Sequence, residues 1–321
     1  MMEPNSPEGI VLGSISALTS IIYIYVLVII AKNRDLRHAP FYMLNLAMGI
    51  VDIGNIWTTY VFQRIPAVGF LNDEVYLLFG HRSILATMCT QGFGFFNSTQ
   101  KYYLIAIGFN RFTAVVTPSF HKTVWTKKHT LIVIVIAAAV NFVQNAVLEI
   151  ISPSYWEDYR SEDSNDGLHC RMPSESIYKG GLQYSIYLSL AAAIVMCLLY
   201  GVIIFALFSN RHKLKTASSS TRKTYNVEMK LTLSVLLHTV LLTADGCTAT
   251  LIFLAKQRYL MPYSYVIQDL LSGCNPYLLL FFSSELRKKV FWWTKVFQSP
   301  NASSIQPIQS MLERNSPRNR Q

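Results

Sequence analysis

Apolar residues in this chain run in seven long blocks, not in the narrow stripes of a soluble amphipathic helix. Apart from polar residues scattered singly, the blocks cover Ile10 to Ala31, Phe41 to Phe62, Ser83 to Phe109, Leu131 to Ile151, Leu182 to Phe208, Leu231 to Ala255 and Tyr263 to Phe282. Each is long enough to cross a bilayer as a helix, since about 20 residues at about 1.5 Å rise span a hydrocarbon core of about 30 Å. Inside the blocks only Asp52, Lys101, Glu149, Asp245 and Asp269 carry formal charge. A soluble helical bundle would show polar faces instead. The pattern therefore predicts an all-α fold, a single bundle of seven transmembrane helices over residues 10–282.

Composition sharpens this reading. With 51% hydrophobic and only 14% charged residues, the 321-residue chain is too apolar for an ordinary soluble domain. Its net charge of +10 does not point to nucleic acid, because the basic residues sit in connections beside the spans, where anionic lipid and insertion topology account for them.

Those connections also give sidedness. The first, third and fifth connections and the C-terminal tail hold twenty Lys and Arg, against none in the N-terminus and seven in the other connections. The positive-inside rule then places residues 1–9 outside and the tail in the cytoplasm. The fourth connection, with Glu157, Asp158, Glu162, Asp163, Asp166 and Glu175, becomes an acidic outer loop. Glu3 and Glu8 stand where a cleavable signal would be basic, so the first span is expected to serve as its own insertion signal. The connection from Ser209 to Met229 reads as a basic cytoplasmic loop with Ser218, Ser219, Ser220 and Thr221 as phosphate acceptors. After the seventh span, Leu286, Val290, Trp293 and Phe297 recur at helical spacing opposite Lys288, Lys289 and Lys295, which predicts an amphipathic surface helix over 283–298. Residues 299–321 are polar and proline-bearing, and are expected to be disordered.

Candidate chemistry falls in four places. Cys89 near the outer end of the third span and Cys170 in the acidic loop face an oxidising compartment; they are either a disulfide tethering the loop across the bundle mouth or two free thiols. Cys197, Cys247 and Cys274 read as packing residues within the spans. No Cys and His spacing suggests a zinc site, and neither a metal nor a cofactor is expected. At the cytoplasmic end of the third span, Asn110 and Arg111 precede Pro118 by eight and seven residues. An arginine there either bonds to neighbouring helices in one state and releases them in another, or is a plain topological anchor. Lys101 and Asp52 both reach mid-membrane and can pair. Asp245 and Asp269 lie higher, beside Tyr263 and Tyr265; they form either a ligand-binding patch in the outer half of the bundle or a helix-to-helix hydrogen-bond network. His238 reads as structural, and Glu149 is near enough to the outer surface to snorkel and is assigned no function.

Taken together, several of these motifs resemble those of G-protein-coupled receptors. The shared features are a basic turn from Lys32 to Arg37 leading into Asn45-Leu46-Ala47, the Arg111 to Pro118 spacing, the Cys89 and Cys170 pair, and Asn275-Pro276 in the seventh span. More narrowly, Asn110 to Val115 with Pro118, His121 and Trp125, and Asn275-Pro276-Tyr277 leading to Ser283 through Lys289, resemble the nematode serpentine chemoreceptors of the srg superfamily, the srv class above all.

The resemblance implies a sensory receptor of a chemosensory neuron, multi-pass in the plasma membrane or sensory cilium. It would bind an external small-molecule or peptide ligand and activate a cytoplasmic heterotrimeric G protein. Asn110, Arg111, Pro118, Asn275 and Pro276 would form the activation switch. The chain departs from the rhodopsin-like pattern: Asn110 stands where an acid usually precedes the arginine, the sixth span has no proline, and Asp52 falls two residues late. A sodium site is therefore not carried over.

Other function classes fare worse. No glycine-rich phosphate loop, metal-binding cluster or nucleophile motif supports an enzyme. A seven-span ligand-gated channel or transporter would use Lys101 and the buried acids to line a pathway, yet internal repeats and broken helices are not evident apart from Pro276.

Overall fold

The computed structural model describes residues 7–67, 69, 71–161, 164–215, 219–254 and 260–290. Seven helical spans make up the bundle. The first is Pro7–Lys32. The second runs as an α-helix over Pro40–Trp57, continues as a π-helix over Thr58–Arg64 and ends with Ile65–Ala67. The third comprises Ile84–Thr87, a π-helical stretch Met88–Gly92, and Phe93–Val116. The fourth is Lys127–Ile151, the fifth Glu175–Lys215 and the sixth Ser219–Leu254. The seventh is divided into Met261–Gly273 and Asn275–Phe282. Its division falls at Cys274, because Pro276 at the start of the second piece donates no backbone hydrogen bond.

Four of the described helices, Val11–Lys32, Lys127–Ile151, Glu175–Ser209 and Met229–Phe253, are long and apolar enough to cross a membrane on length and composition alone. The fourth span shows why the surroundings are lipid. It exposes Ile132, Ile136, Phe142 and Ile150 while burying Thr130, Asn141 and Asn145. This inverts a soluble helix, and it is stable only where the outer solvent is apolar.

Small residues let the helices approach closely. A Cβ at Gly49 would lie 2.6 Å from a Leu27 methyl of the first span, and one at Gly54 2.4 Å from the Phe96 ring of the third. Close approach through glycine is the common packing device where lipid tails are as apolar as leucine. The apolar core built this way includes Ile30, Leu44, Met48, Leu104, Ile107, Met196, Ile203 and Val235.

One end of the bundle carries a β-hairpin. Tyr155–Ser161 pairs antiparallel with Ser164–Arg171, setting Trp156 opposite Cys170 and Glu157 opposite His169. Trp156 is buried with Ala86, Cys89 and Leu168 and meets Tyr76 edge-on at 5.5 Å. Its backbone N–H donates to the His81 carbonyl at 2.9 Å. The described part of the acidic connection thus folds as a hairpin against the bundle, not only as a charged loop. Cys89 and Cys170 are joined by a disulfide with Cα atoms 6.2 Å apart, which fastens the hairpin to the third span.

At the opposite end the helices run past the membrane. The connection from Ser209 to Met229 is mostly helix, since the fifth span continues to Lys215 and the sixth begins at Ser219. Hydropathy marks where lipid ends, whereas Lys and Arg in that stretch are good helix formers in water. Ser218 lies outside the described residues. Beyond the seventh span, Ser284–Val290 forms a short helix whose Leu286 and Val290 are buried, with the Tyr25 hydroxyl donating to the Val290 carbonyl at 3.3 Å. The rest of the expected surface helix and the tail lie outside the described residues.

The hairpin seat has one tight point. A Cβ at Gly167 would stand 2.3 Å from the backbone oxygen of Ala67. Gly167→Ala is expected to displace the hairpin and cost about 1–3 kcal/mol of stability. A thermal unfolding midpoint equal to that of the natural chain would contradict this seating.

Candidate functional site

Beneath the hairpin lies a cavity of about 1150 Å³, walled by the ends of the surrounding spans and by His169, Cys170 and Met172 of the hairpin region. Two local irregularities shape it. The π-helical stretch Thr58–Arg64 brings Tyr60, Gln63 and Arg64 to the wall, and the stretch Met88–Gly92 brings Cys89, Thr90 and Gln91. A π-turn rotates everything after it relative to α-helical phase, and such turns gather at functional sites.

Two charged pairs flank this space. The first is closed. Arg64 grips Asp269 in bidentate fashion, Nη1 to Oδ2 at 3.0 Å and Nη2 to Oδ1 at 3.1 Å. The Tyr60 hydroxyl donates to the same carboxylate at 2.9 Å and accepts from Ser16. The Arg64 guanidinium also sits over the rings of Tyr60 at 4.2 Å and Tyr265 at 5.4 Å. This cluster ties the second span to the seventh.

The second pair is open. Lys101 is 1% exposed, and its ammonium donates to the Ser185 hydroxyl at 3.3 Å. Asp245 is the charge that acts on it, but the two do not form a direct ion pair among the described residues. Asp245 itself accepts a long bond, 3.4 Å, from Ser189. Both line the cavity.

Of the residues expected to contact ligand, Asp245 and Tyr265 are on the wall, and Asp269 lies just behind it, held by two wall residues. Tyr263 is a correction: it is 63% exposed and is not on the cavity wall. Tyr263 and Tyr265 are two residues apart, roughly 200° around a helix, so both cannot face one cavity. Sequence reasoning misses Gln63 and Arg64, because hydropathy closes the second block at Phe62 while the helix continues beyond it, and it misses Tyr60 because nothing in the apolar run singles that residue out.

The expected pairing of Lys101 with Asp52 is also corrected. Asp52 accepts from the Tyr23 hydroxyl at 2.5 Å and from Gln100 Nε2 at 2.7 Å. Equal depth does not give equal direction: Gln100 and Lys101 are neighbours, about 100° apart on the helix, and only Gln100 faces Asp52.

Around Asp52 a buried polar hub joins four spans. Asn275 Nδ2 donates to the Tyr23 hydroxyl at 2.5 Å. Asn55 and Gln100 both donate to Ser272, at 2.9 and 3.2 Å. Next to it, the His238 ring Nε2 meets Cys274 Sγ at 3.6 Å, while its Nδ1 lies 3.1 Å from the Ser234 carbonyl. Cys197 and Cys247 face outward.

Toward the far end, Arg111 is buried, and Asn110 takes the place of an acidic neighbour. Asn110 Oδ1 accepts from Arg111 Nη2 at 2.7 Å and Nε at 3.3 Å, and the guanidinium lies 4.3 Å above the Phe41 ring. Just beyond, Thr113 Oγ1 accepts from Trp125 Nε1 at 2.9 Å and meets His121 Nδ1 at 3.0 Å. This docks the short helix Pro118–Val124, with Pro118 as its first residue, against the end of the third span.

Outside the membrane, burial, and then the nearby Arg171, hold the His169 ring below its usual pKa, partly offset by Glu157. Glu149 is not a free surface acid: it accepts from Thr87 at 2.9 Å and from the Ser154 hydroxyl at 2.7 Å.

Removing one hub donor tests the network. Tyr23→Phe deprives Asp52 of a bond and strips Asn275 of its acceptor, which is expected to cost about 1–2 kcal/mol and lower the unfolding midpoint. A midpoint unchanged in this variant would mean that the hub does not hold the spans together.

The description "Serpentine type 7TM GPCR chemoreceptor Srv" belongs to a family model that matches residues 12–296. Among curated proteins none matches the chain.

Proposed function

The chain belongs to the Srv family of serpentine seven-transmembrane chemoreceptors within the G-protein-coupled receptors, and from that premise we propose that it binds an external chemical in the cavity beneath the hairpin and activates a heterotrimeric G protein at the Arg111 end. It is an integral membrane chemosensory receptor. In the finer reading the hairpin lies outside the cell, in the plasma membrane or sensory cilium, and the face formed by Arg111, Trp125 and the extended fifth and sixth helices lies in the cytoplasm.

One observation carries this proposal. Lys101 lies on the cavity wall, and Gln100, its neighbour in sequence, belongs to the polar hub that reaches Asp52, Ser272 and Asn275. Arg111 follows on the same helix ten residues later, about 15 Å along its axis. A shift of the third span on ligand binding therefore reaches the hub and the arginine as one rigid piece. A ligand drives such a change only through different affinity for the two arrangements.

In the arrangement seen here, Arg111 is satisfied locally by Asn110 and the Phe41 ring, and the Thr113, His121 and Trp125 cluster holds the short helix against it. Activation would free this inner face for the G protein. The basic residues near it suit an acidic partner surface and anionic lipid headgroups.

Arg111→Ala is expected to reduce ligand-stimulated nucleotide exchange at least tenfold with surface expression near normal; exchange equal to the natural chain would remove Arg111 from the mechanism. For the cavity, Asp269→Asn loosens the Arg64 clamp and is expected to weaken agonist potency by about tenfold. Unaltered potency in both Asp269→Asn and Asp245→Asn would place the ligand elsewhere.

A further inference from the structure

The two charged pairs of the cavity differ in one respect that bears on what the cavity accepts. Arg64 and Asp269 satisfy each other with two short bonds, reinforced by Tyr60. A ligand gains little from either without first breaking the clamp. Lys101 and Asp245 are both on the wall, and neither satisfies the other by direct contact. An ammonium offers three donors, and Lys101 spends one on Ser185. A carboxylate offers two oxygens, and Asp245 receives one long bond from Ser189.

The gap between them therefore presents donors on one side and acceptors on the other, within a wall that is otherwise largely apolar and aromatic. A ligand carboxylate would satisfy Lys101 but repel Asp245. An amine would do the opposite. Each also brings an unbalanced charge into a site whose own charges cancel, which is expensive away from water. A neutral group that accepts on one atom and donates from the next meets both partners and leaves the balance intact.

We infer that the Lys101 and Asp245 gap is the recognition element of the cavity, and that it selects an uncharged, mostly apolar molecule whose polar head is both acceptor and donor, as in a primary carboxamide. The head's oxygen accepts from Lys101 Nζ and its N–H donates to Asp245, while the apolar body lies among Tyr60, Tyr184 and Tyr265. This inference rests on the reading of the cavity as the ligand site. It does not depend on G-protein coupling.

The test uses four probes that share one body: 4-phenylbutanamide, 4-phenylbutanoate, 4-phenylbutylamine and methyl 4-phenylbutanoate. Dissociation constants are taken from the concentration dependence of the unfolding midpoint of the full chain in lipid nanodiscs. The amide is expected to bind about tenfold or more tightly than each of the others.

Removing one charge at a time should switch the preference. Asp245→Asn leaves Lys101 as the lone charge and is expected to favour the carboxylate. Lys101→Met is expected to favour the amine. A lysine and aspartate that merely hold helices together would not reverse selectivity in this way.

Tighter binding of the carboxylate or amine to the natural chain overturns the inference, as does equal binding of all four or binding of none. Retention of the amide preference in both variants overturns it too. Should a variant not fold, the ranking on the natural chain still decides. Amide binding without stimulated nucleotide exchange would contradict the proposed receptor function and leave this inference standing.

Discussion

A charge left unpaired in hydrocarbon costs at least roughly 2.5–3.5 kcal/mol, and the arrangement of this protein follows from meeting that cost at Asp52. Its carboxylate is closed off by Tyr23 and Gln100, and Tyr23 is in turn held by Asn275. Four spans are thereby brought to one point near the membrane centre. Lipid supplies no hydrophobic drive between helices, so these bonds and the close approaches at Gly49 and Gly54 fix where the spans cross. Around the hub and toward Arg111 the interior is filled by Leu44, Met48, Ile107 and Met196. Toward the hairpin the polar residues part and a cavity opens.

The hairpin and its disulfide complete that cavity. Without Trp156 seated on Tyr76 and Cys170 bonded to Cys89, the space above Lys101 would be an open funnel. With them it is a roofed site whose wall chemistry is set by two pairs of opposite charge. One pair is mutually satisfied and structural in effect. The other makes no direct ion pair among the described residues and is, on our proposal, the pair that a ligand meets. The third span links these parts, carrying Cys89, Gln100, Lys101 and Arg111 from the lid to the inner face. Dispersed coupling through many contacts is the usual alternative to one such rigid element, and the sequence adjacency of Gln100 and Lys101 is what favours the element here.

Much of this architecture is legible in the amino-acid sequence. Blocks of apolar residues mark the spans because lipid demands uniform hydrophobicity, and the intramembrane acids stand out because they are costly there. Direction around each helix is less legible. Sequence spacing gives depth well and so matches Asp52 with Lys101, while their azimuths differ. Helical phase alone is enough to separate Tyr263 from Tyr265. Arg64 is not recoverable in this way: it closes a π-helical stretch, where α-phase no longer applies, and it counts as a loop charge by hydropathy. The hairpin is hidden for a different reason. Its acidic residues read as solvent loop, and strand pairing is decided by the partner and by the Trp156 and Leu168 seat, not by local pattern.

On the proposed function the cavity must open outward while Arg111 faces a G protein, so the side of the membrane on which each end lies decides the central claim. Epitope tags placed separately at the two termini, stained in intact and then permeabilised cells, measure this directly. An N-terminal tag is expected to be visible on intact cells and a C-terminal tag only after permeabilisation. The reverse pattern would put the hairpin and cavity in the cytoplasm and contradict the receptor function at its root.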